Sequence, residues 1–232
     1  MNQPVPWVAT ALLAGGQSRR MGRPKPLLPV PHQTLLAGHV DSAASLHRPV
    51  LLCSDRLDYR AVVTHPCVHI HDHISQAGPL AALAGAMYWC RQQGHRPQDW
   101  LAVLSVDGLL QAADLLVAVQ TARQAQPALL DGGPGAVDVV HLACGDTTGG
   151  LDIVPAGQPE PVGSQGYPLL GLYRLSLLEA LLDCLPQSRR VMRFVQAQNR
   201  AVIGVAAHWQ GRLNLNTPAD YEALLRQLGA VA

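Results

Sequence analysis

The chain has 232 residues, of which 48% are apolar and 14% are charged, and its formal net charge is +1. This size and composition predict one globular domain with a sizeable core. The near-neutral charge argues against a nucleic-acid-binding protein. The interrupted apolar runs argue against membrane spans and a signal peptide. The odd number of cysteines and the lack of a CxxC pair indicate free thiols in a reducing cytoplasm; the cysteines are Cys53, Cys67, Cys90, Cys144 and Cys184.

Strand-like and helix-like segments alternate along the chain. The apolar run at residues 7–14 ends at two glycines and predicts a buried parallel strand that leads into a glycine loop. The elements predicted after it are a helix at 34–44, strands at 49–53 and 67–71, a helix at 79–93, a strand at 100–106, helices at 112–124 and 175–185, a strand at 201–206 and a helix at 218–228. Thr217 before Pro218 is a typical start signal for the last helix. This alternation predicts an α/β fold with a mostly parallel sheet and helices on both faces.

Residues 132–166 depart from this alternation. They are rich in Gly, Pro and Asp and contain one strand-like stretch at 137–143. We expect a hairpin or flap here rather than a separate domain. The whole chain, residues 1–232, is therefore predicted to be a single domain.

The most informative motif is LAGGQSRRMGRPK at residues 13–25. Gly15 and Gly16 allow backbone N–H groups to approach phosphate oxygens, because neither residue carries a Cβ. The charge-assisted donors of the motif are Arg19, Arg20 and Lys25. Its spacing is neither that of a Walker A motif nor that of GxGxxG. The motif predicts a triphosphate-binding loop, and the alternative is a tight turn with two surface arginines.

This loop resembles the signature loop of the molybdenum cofactor guanylyltransferases, within the wider class of Rossmann-like nucleotidyltransferases. Other segments that resemble the family follow in its order: GPL at 78–80, Asp107 at a strand end, PLLGLY at 168–173, RVMRF at 190–194 and NLNTPAD at 214–220. The resemblance implies a Rossmann-like three-layer sandwich, with an NTP-binding half at 1–110 and an acceptor-binding half at 111–232. It implies Mg²⁺-dependent transfer of GMP from GTP to molybdopterin, and molybdoenzymes or their chaperones as candidate further partners.

The resemblance also implies which residues act. The nucleotide would be bound by Leu13, Ala14, Gly15, Gly16, Arg19, Lys25, Asp55, Asp72, Gly78 and Asp107. Arg19, Lys25 and Asp107 would take part in catalysis. Asp107 and Asn214 would bind the metal, and Tyr173, Asn214 and Asn216 would contact the acceptor. Ordinary turn chemistry before a helix is the alternative for the two asparagines.

Asp107 suits a metal site for physical reasons as well. Nucleotidyl transfer adds negative charge at the α-phosphate, which a divalent cation neutralises. Mg²⁺ prefers one or two carboxylates plus substrate phosphates, and Asp107 follows an apolar strand at the sheet edge where ligands of such folds bind. The alternative is an aspartate that caps a turn. The family usually has a variable residue and then Pro after this aspartate, whereas this chain has Gly108-Leu109, so we expect a more flexible turn.

The sequence leaves the nucleotide open between GTP and CTP. The LAGG of the loop matches the guanylyl branch of the family, as do PLLGLY and NLNTP. Residues 23–29, RPKPLLP, look more like the cytidylyl branch, and Asp55-Arg56 stands where the guanylyl branch often has Asn-Arg. We expect GTP, with CTP as the first alternative. Two further alternatives are another nucleotide-sugar or cofactor nucleotidyltransferase and a non-catalytic cofactor-binding relative.

A histidine stripe occupies alternate positions at His65, Cys67, His69, His71 and His73. On a strand these side chains would share one face. Such a set could bind zinc or another transition metal. The alternative is a partly exposed edge strand that packs its other face, Val68 and Ile70, inward.

Overall fold

The structure, a computed structural model, describes residues 5–15, 22–54, 57–72, 74, 77–132, 135–145, 150–209 and 211–229. The strands are β1 (Trp7–Leu13), β2 (Pro29–Val30), β3 (Gln33–Thr34), β4 (Val50–Cys53), β5 (Val68–Ile70), β6 (Trp100–Ser105), β7 (Val139–Cys144), β8 (Leu151–Val154), β9 (Gln165–Arg174) and β10 (Arg200–Gly204). The α-helices are α1 (Leu35–Ala44), α2 (Pro79–Gln92), α3 (Ala112–Ala125), α4 (Leu178–Cys184), α5 (Val191–Gln196) and α6 (Pro218–Gln227), and short 3₁₀ helices lie at Lys25–Leu27, Tyr59–Val62, Leu175–Leu177 and Ala207–Trp209.

Eight strands of the described chain form one sheet in the order β5-β4-β1-β6-β9-β7-β10-β8. Neighbours among β5, β4, β1 and β6 pair in parallel, and so do β7 and β10. β9 runs antiparallel between β6 and β7, and β8 runs antiparallel to β10 at the edge. Because β9 is antiparallel to both β6 and β7, these two strands run in the same direction. The six strands β5, β4, β1, β6, β7 and β10 therefore all end at the same edge of the sheet. The predicted mostly parallel sheet is confirmed.

Helices cover both faces of this sheet. Successive side chains of a strand point to opposite faces, so Leu12 packs with α1, α3 and α6 on one face and Leu13 packs with α2, α4 and α5 on the other. The three-layer sandwich implied by the resemblance is therefore confirmed. Of the described helices, none combines the length and the apolar content that a bilayer crossing requires.

Residues 132–166 differ from the predicted flap. β7 lies inside the sheet between β9 and β10, with five of its six residues buried, and β8 forms the sheet edge beyond β10. The glycine- and proline-rich composition belongs to the connections around these strands. A buried strand between loop-like flanks was therefore mistaken for a surface hairpin. α5 and the long strand β9 were also missed, although their sequences were noted as motifs.

The last helix begins as its sequence indicates. The Thr217 hydroxyl accepts a hydrogen bond from the Asp220 backbone N–H at 3.2 Å, and the Asp220 carboxylate accepts from the Thr217 N–H at 2.8 Å. This reciprocal capping box confirms the predicted N-cap. It also matters for the site, because Asn216 directly precedes the cap.

Candidate active site

The carboxyl ends of four parallel strands are joined by backbone hydrogen bonds that continue beyond the strands. The bonded pairs are Ala14 N–H with Cys53 O at 2.9 Å, Ser54 N–H with Ile70 O at 3.1 Å and Val106 N–H with Leu13 O at 3.2 Å. The residues that follow β1, β4, β5 and β6 are thereby held in one row along the sheet edge. Gly15, Asp72 and Asp107, predicted as site residues, all stand in this row.

Lys25, Asp107 and Asn216 meet at this edge although they are far apart in the sequence. The Lys25 ammonium lies 3.6 Å from Asp107 Oδ2 and donates a hydrogen bond to Asn216 Oδ1 at 3.4 Å. The Lys25 and Asp107 side chains are 18% and 27% exposed, so a ligand can reach both. The first half of the chain and its last motif therefore build one polar cluster.

Ser105 orients the Asp107 carboxylate and was missed by the sequence analysis. Its hydroxyl donates to Asp107 Oδ1 at 2.6 Å, while Oδ2 is the oxygen nearest Lys25. Ser105 is the last residue of β6 and Asp107 lies two positions further on, in the turn, so a serine two residues before the aspartate is close enough to reach it. That spacing was the available signal. The two carboxylate oxygens thus have different partners.

Gly108 is required by close packing. A Cβ on this residue would lie 2.3 Å from Leu213 O, far inside contact distance. Two hydrogen bonds hold the same approach, from Leu109 N–H to Arg212 O at 2.8 Å and from Leu215 N–H to Asp107 O at 2.6 Å. The departure from the family's pattern is Leu109 in place of Pro, and the Leu109 N–H donates a hydrogen bond that a proline could not. The expected flexible turn is instead a turn bonded to residues 212–215.

The segment that carries the two asparagines alternates between core and surface. Leu213 and Leu215 are buried at 2% and 0% exposure, whereas Asn214 and Asn216 are exposed. Alternation puts both amides on the solvent side, where Asn216 reaches Lys25. The helix cap uses Thr217 and the backbone N–H of Asn216. The helix cap therefore uses only the backbone N–H of Asn216, and the side-chain amide of Asn216 is available to the site.

Two glycines predicted to bind the nucleotide, Gly15 and Gly78, lie at the same edge of the sheet as this row. A Cβ on Gly15 would meet no atom of the described residues within 4 Å, so packing against them does not explain this glycine. Gly78 precedes α2 with φ +84°, a conformation that favours glycine. Since α2 follows the parallel strand β5, its positive N-terminal end faces the same edge. An anionic ligand is favoured there.

Asp72 lies half-buried just beyond β5, beside the end of β4. Burial raises the pKa of the Cys53 thiol, and the Asp72 charge adds to this shift. Leu13 and Ala14 contribute buried backbone to the row. Gly16, Arg19 and Asp55, together with Arg20, lie outside the described residues.

Residues 10–202 match the family model for the MobA-like NTP transferase domain. The chain belongs to this family. A probable molybdenum cofactor guanylyltransferase of Synechococcus elongatus is 28% identical over 222 residues, which are 93% of this chain and 97% of the relative. One of Mycobacterium avium is 28% identical over 225 residues, 94% of each chain.

A solved structure has the same fold at lower sequence identity. The molybdopterin-guanine dinucleotide biosynthesis protein A of Archaeoglobus fulgidus superposes with a TM-score of 0.65 at 15% identity, over 97% of this chain and 100% of that one. The family membership confirms the predicted nucleotidyltransferase class.

Tyr173 lies away from the cluster of Lys25, Asp107 and Asn216. Its side chain is 0% exposed and its hydroxyl donates to Pro168 O. Because β9 is antiparallel, Tyr173 pairs with Leu101 near the start of β6, at the sheet edge opposite Asp107. The predicted acceptor contact is wrong for this side chain. Within PLLGLY, the residues at the start of the motif are the ones nearer the site.

Of the histidine stripe, His69 lies on the edge strand β5, which turns Val68 and Ile70 inward as the edge-strand alternative requires. The His69 and His71 rings lie 4.4 Å apart between centroids, and His69 Nε2 is 2.9 Å from Ser54 O. The described residues contain no group of three or more His, Cys, Asp or Glu side chains suited to a metal ion. His73 lies outside them. The described part of the chain does not support a transition-metal site.

The donors around Asp107 suit magnesium. They are the Asp107 carboxylate, the Ser105 hydroxyl and the amide oxygen of Asn216, which meets Asp107 at Lys25. These are hard oxygen ligands, and Mg²⁺ is usually held by one or two carboxylates completed by substrate phosphates and water. The residues present therefore fit this metal.

Proposed function

We propose that this protein transfers GMP from GTP to molybdopterin in an Mg²⁺-dependent reaction that releases pyrophosphate. The observation that carries the proposal is the meeting of Lys25, Asp107 and Asn216 at the carboxyl edge of the sheet. The names of relatives that match more than nine-tenths of the chain support the guanylyl transfer and the acceptor. The LAGG loop supports GTP.

In the proposed reaction an acceptor phosphate oxygen bonds to the α-phosphorus while the bond from that phosphorus to the bridging oxygen breaks. Lys25 donates to phosphate oxygens of GTP and compensates their charge. Asp107, with Asn214, would hold magnesium, which when bound neutralises charge at the α-phosphate. Ser105 fixes the Asp107 carboxylate. Arg19 is a further candidate donor to the phosphates.

The Lys25–Asp107 pair can yield to such a ligand at small cost. At 3.6 Å the direct attraction is about 5 kcal/mol for an effective dielectric constant of about 20. Both side chains keep partial solvent access, and the net stabilisation from such a pair is about 1 kcal/mol or less. Phosphate oxygens can therefore replace Asp107 as the partner of Lys25 without a large loss of stability. Asp107 is then available to the metal.

The test measures pyrophosphate release with GTP, CTP or ATP, each with Mg²⁺ and molybdopterin, and repeats it without Mg²⁺. We expect release with GTP and Mg²⁺ that exceeds release with CTP by at least tenfold. Greater release with CTP would assign the cytidylyl reaction, which residues 23–29 favour. Nucleotide or cofactor binding without any release would identify a non-catalytic relative.

A further inference from the structure

A buried histidine reaches the Asp107 turn from the helix layer. His39, on α1, is 1% exposed, and its Nε2 lies 2.9 Å from the backbone carbonyl oxygen of Gly108. A carbonyl oxygen can only accept, so Nε2 must carry the proton and donate it. The other ring nitrogen, Nδ1, is then a buried acceptor without a hydrogen-bond partner among the described residues.

The imidazole is neutral in this setting. Burial lowers the pKa of His39 and outweighs the Gly108 hydrogen bond and the charges of Asp107 and Asp114, which act in the opposite direction. A neutral ring holds one proton, and the Gly108 contact places it on Nε2. The hydrogen bond therefore does not depend on a protonated histidine.

Packing alone does not explain a histidine at this position. Its neighbours on α1, Leu36 and Val40, are fully buried apolar residues. An imidazole with an unpartnered nitrogen costs free energy there that an aliphatic side chain would not. What the imidazole adds is the donor to Gly108 O.

That donor completes a clamp on the two peptide groups that follow Asp107. Residues 212–215 hold the turn from one side through the Leu109 and Leu215 amides, and the missing Cβ of Gly108 permits this approach. His39 holds the Gly108 carbonyl as a third contact. A shift of this turn would move the Asp107 carboxylate relative to Lys25, which lies 3.6 Å away.

We propose that His39 is a positioning residue that fixes the Gly108-Leu109 peptide group and, through the turn that this group belongs to, the direction of the Asp107 carboxylate. The effect on turnover rests on the proposed function, whereas the effect on the turn does not. His39 contacts neither nucleotide nor acceptor in this role. Its removal reduces the rate of transfer more than the affinity for GTP, because a misdirected catalytic group impairs the transition state first.

The first test uses the parent protein. Nitrogen-15 NMR of the His39 ring at pH 7 is expected to show a neutral imidazole with its proton on Nε2. A ring protonated on Nδ1 alone overturns the proposal, because Nε2 could then not donate to Gly108 O, whereas a ring that carries a proton on Nε2 supports it. This measurement needs no variant and no substrate.

The second test compares His39→Leu with His39→Gln and with Val40→Ala, a matched control that weakens the core on the same helix. Amide hydrogen exchange at Leu109 and Leu215 reports on the clamp directly. In His39→Leu we expect these amides to exchange at least tenfold faster than in the control at equal global stability. His39→Gln, which keeps an amide donor on a side chain of similar reach, restores most of the protection.

Transfer kinetics provide the functional arm. We expect His39→Leu to lose about tenfold or more in kcat with KM for GTP within about twofold of the parent, and His39→Gln to recover most of kcat. Exchange at Leu109 and Leu215 equal to the Val40→Ala control overturns the proposal. If these amides exchange faster in His39→Leu but the parent protein transfers no nucleotide, the clamp is supported and the proposed function is rejected. If His39→Leu does not fold, the ring NMR of the parent decides.

Discussion

Asp107→Asn separates the two roles that the carboxylate could have. The substitution keeps the shape of the side chain and an oxygen that can accept from the Ser105 hydroxyl, now 2.6 Å from Oδ1. It removes the negative charge that faces Lys25 at 3.6 Å. A turn-capping role would survive this change, because asparagine caps as well as aspartate. A metal-binding role would not.

The expected effects on stability and on rate differ in size. The lost ion pair is partly exposed, so the free energy of unfolding should fall by about 1 kcal/mol or less. The rate of transfer should fall by about a hundredfold or more, which is about 2.7 kcal/mol of transition-state stabilisation. The loss should appear in kcat, since the charge matters most when the α-phosphate becomes more negative. Affinity for GTP should change little.

The assay measures pyrophosphate release at saturating GTP, Mg²⁺ and acceptor, alongside urea unfolding of the same preparation. Asp114→Asn is the matched control, because the Asp114 carboxylate accepts from the Gln111 N–H at the start of α3 and serves as a cap. We expect the control to turn over like the parent. Turnover of Asp107→Asn at the parent's rate would refute the metal-binding role of Asp107.

Three further predictions concern other parts of the molecule. Lys25→Ala should weaken GTP binding by about tenfold or more while the unfolding free energy changes by about 1 kcal/mol or less, as titration calorimetry and urea unfolding can show. Tyr173→Phe should lower the unfolding free energy by about 1 kcal/mol, through loss of the hydrogen bond to Pro168 O, and leave KM for the acceptor unchanged. Glu160→Gln should reduce the amount of stability that the fold loses in acid. Burial raises the pKa of Glu160, but the pairing with His141 and Arg200 outweighs burial and holds this pKa below its usual range. The ionised carboxylate therefore stabilises the fold above about pH 4.3, and this contribution is lost as the pH falls below that value.

Each of these predictions has an opposing outcome. Unchanged GTP affinity in Lys25→Ala would make the loop structural. A raised acceptor KM in Tyr173→Phe would return Tyr173 to the acceptor site. For Glu160, the control is Glu179→Gln on the exposed face of α4, and identical acid unfolding of both variants would exclude a contribution from the buried pair.

The local sequence determined most of the secondary structure. The apolar runs that became β1, β4 and β6 were predicted to within one residue at each end, because each is a short apolar segment bounded by Gly, Pro or a polar residue. Thr217 was identified as an N-cap because a capping box requires only the residues from 217 to 220. The layered arrangement followed from the alternation of strands and helices.

Strand direction and strand order were decided by the tertiary structure. Whether β9 runs with or against β6 depends on pairing between residues about seventy positions apart, and no local pattern encodes it. That direction places Tyr173 at the opposite sheet edge and buries it, which corrected its predicted role. The placement of β7 inside the sheet is non-local in the same way.

For the site, the sequence by itself determined the chemistry that is available: a glycine loop with basic residues, an aspartate after a buried strand and an asparagine pair before a capped helix. Only the tertiary structure decided which of these meet. Lys25 contacts Asn216 across 191 positions, and Ser105, His39 and Gly108 acquire their roles from contacts with the same turn. Local sequence sets conformational preference within a few residues, whereas the distance between two side chains is set by how the whole sheet and its helices pack.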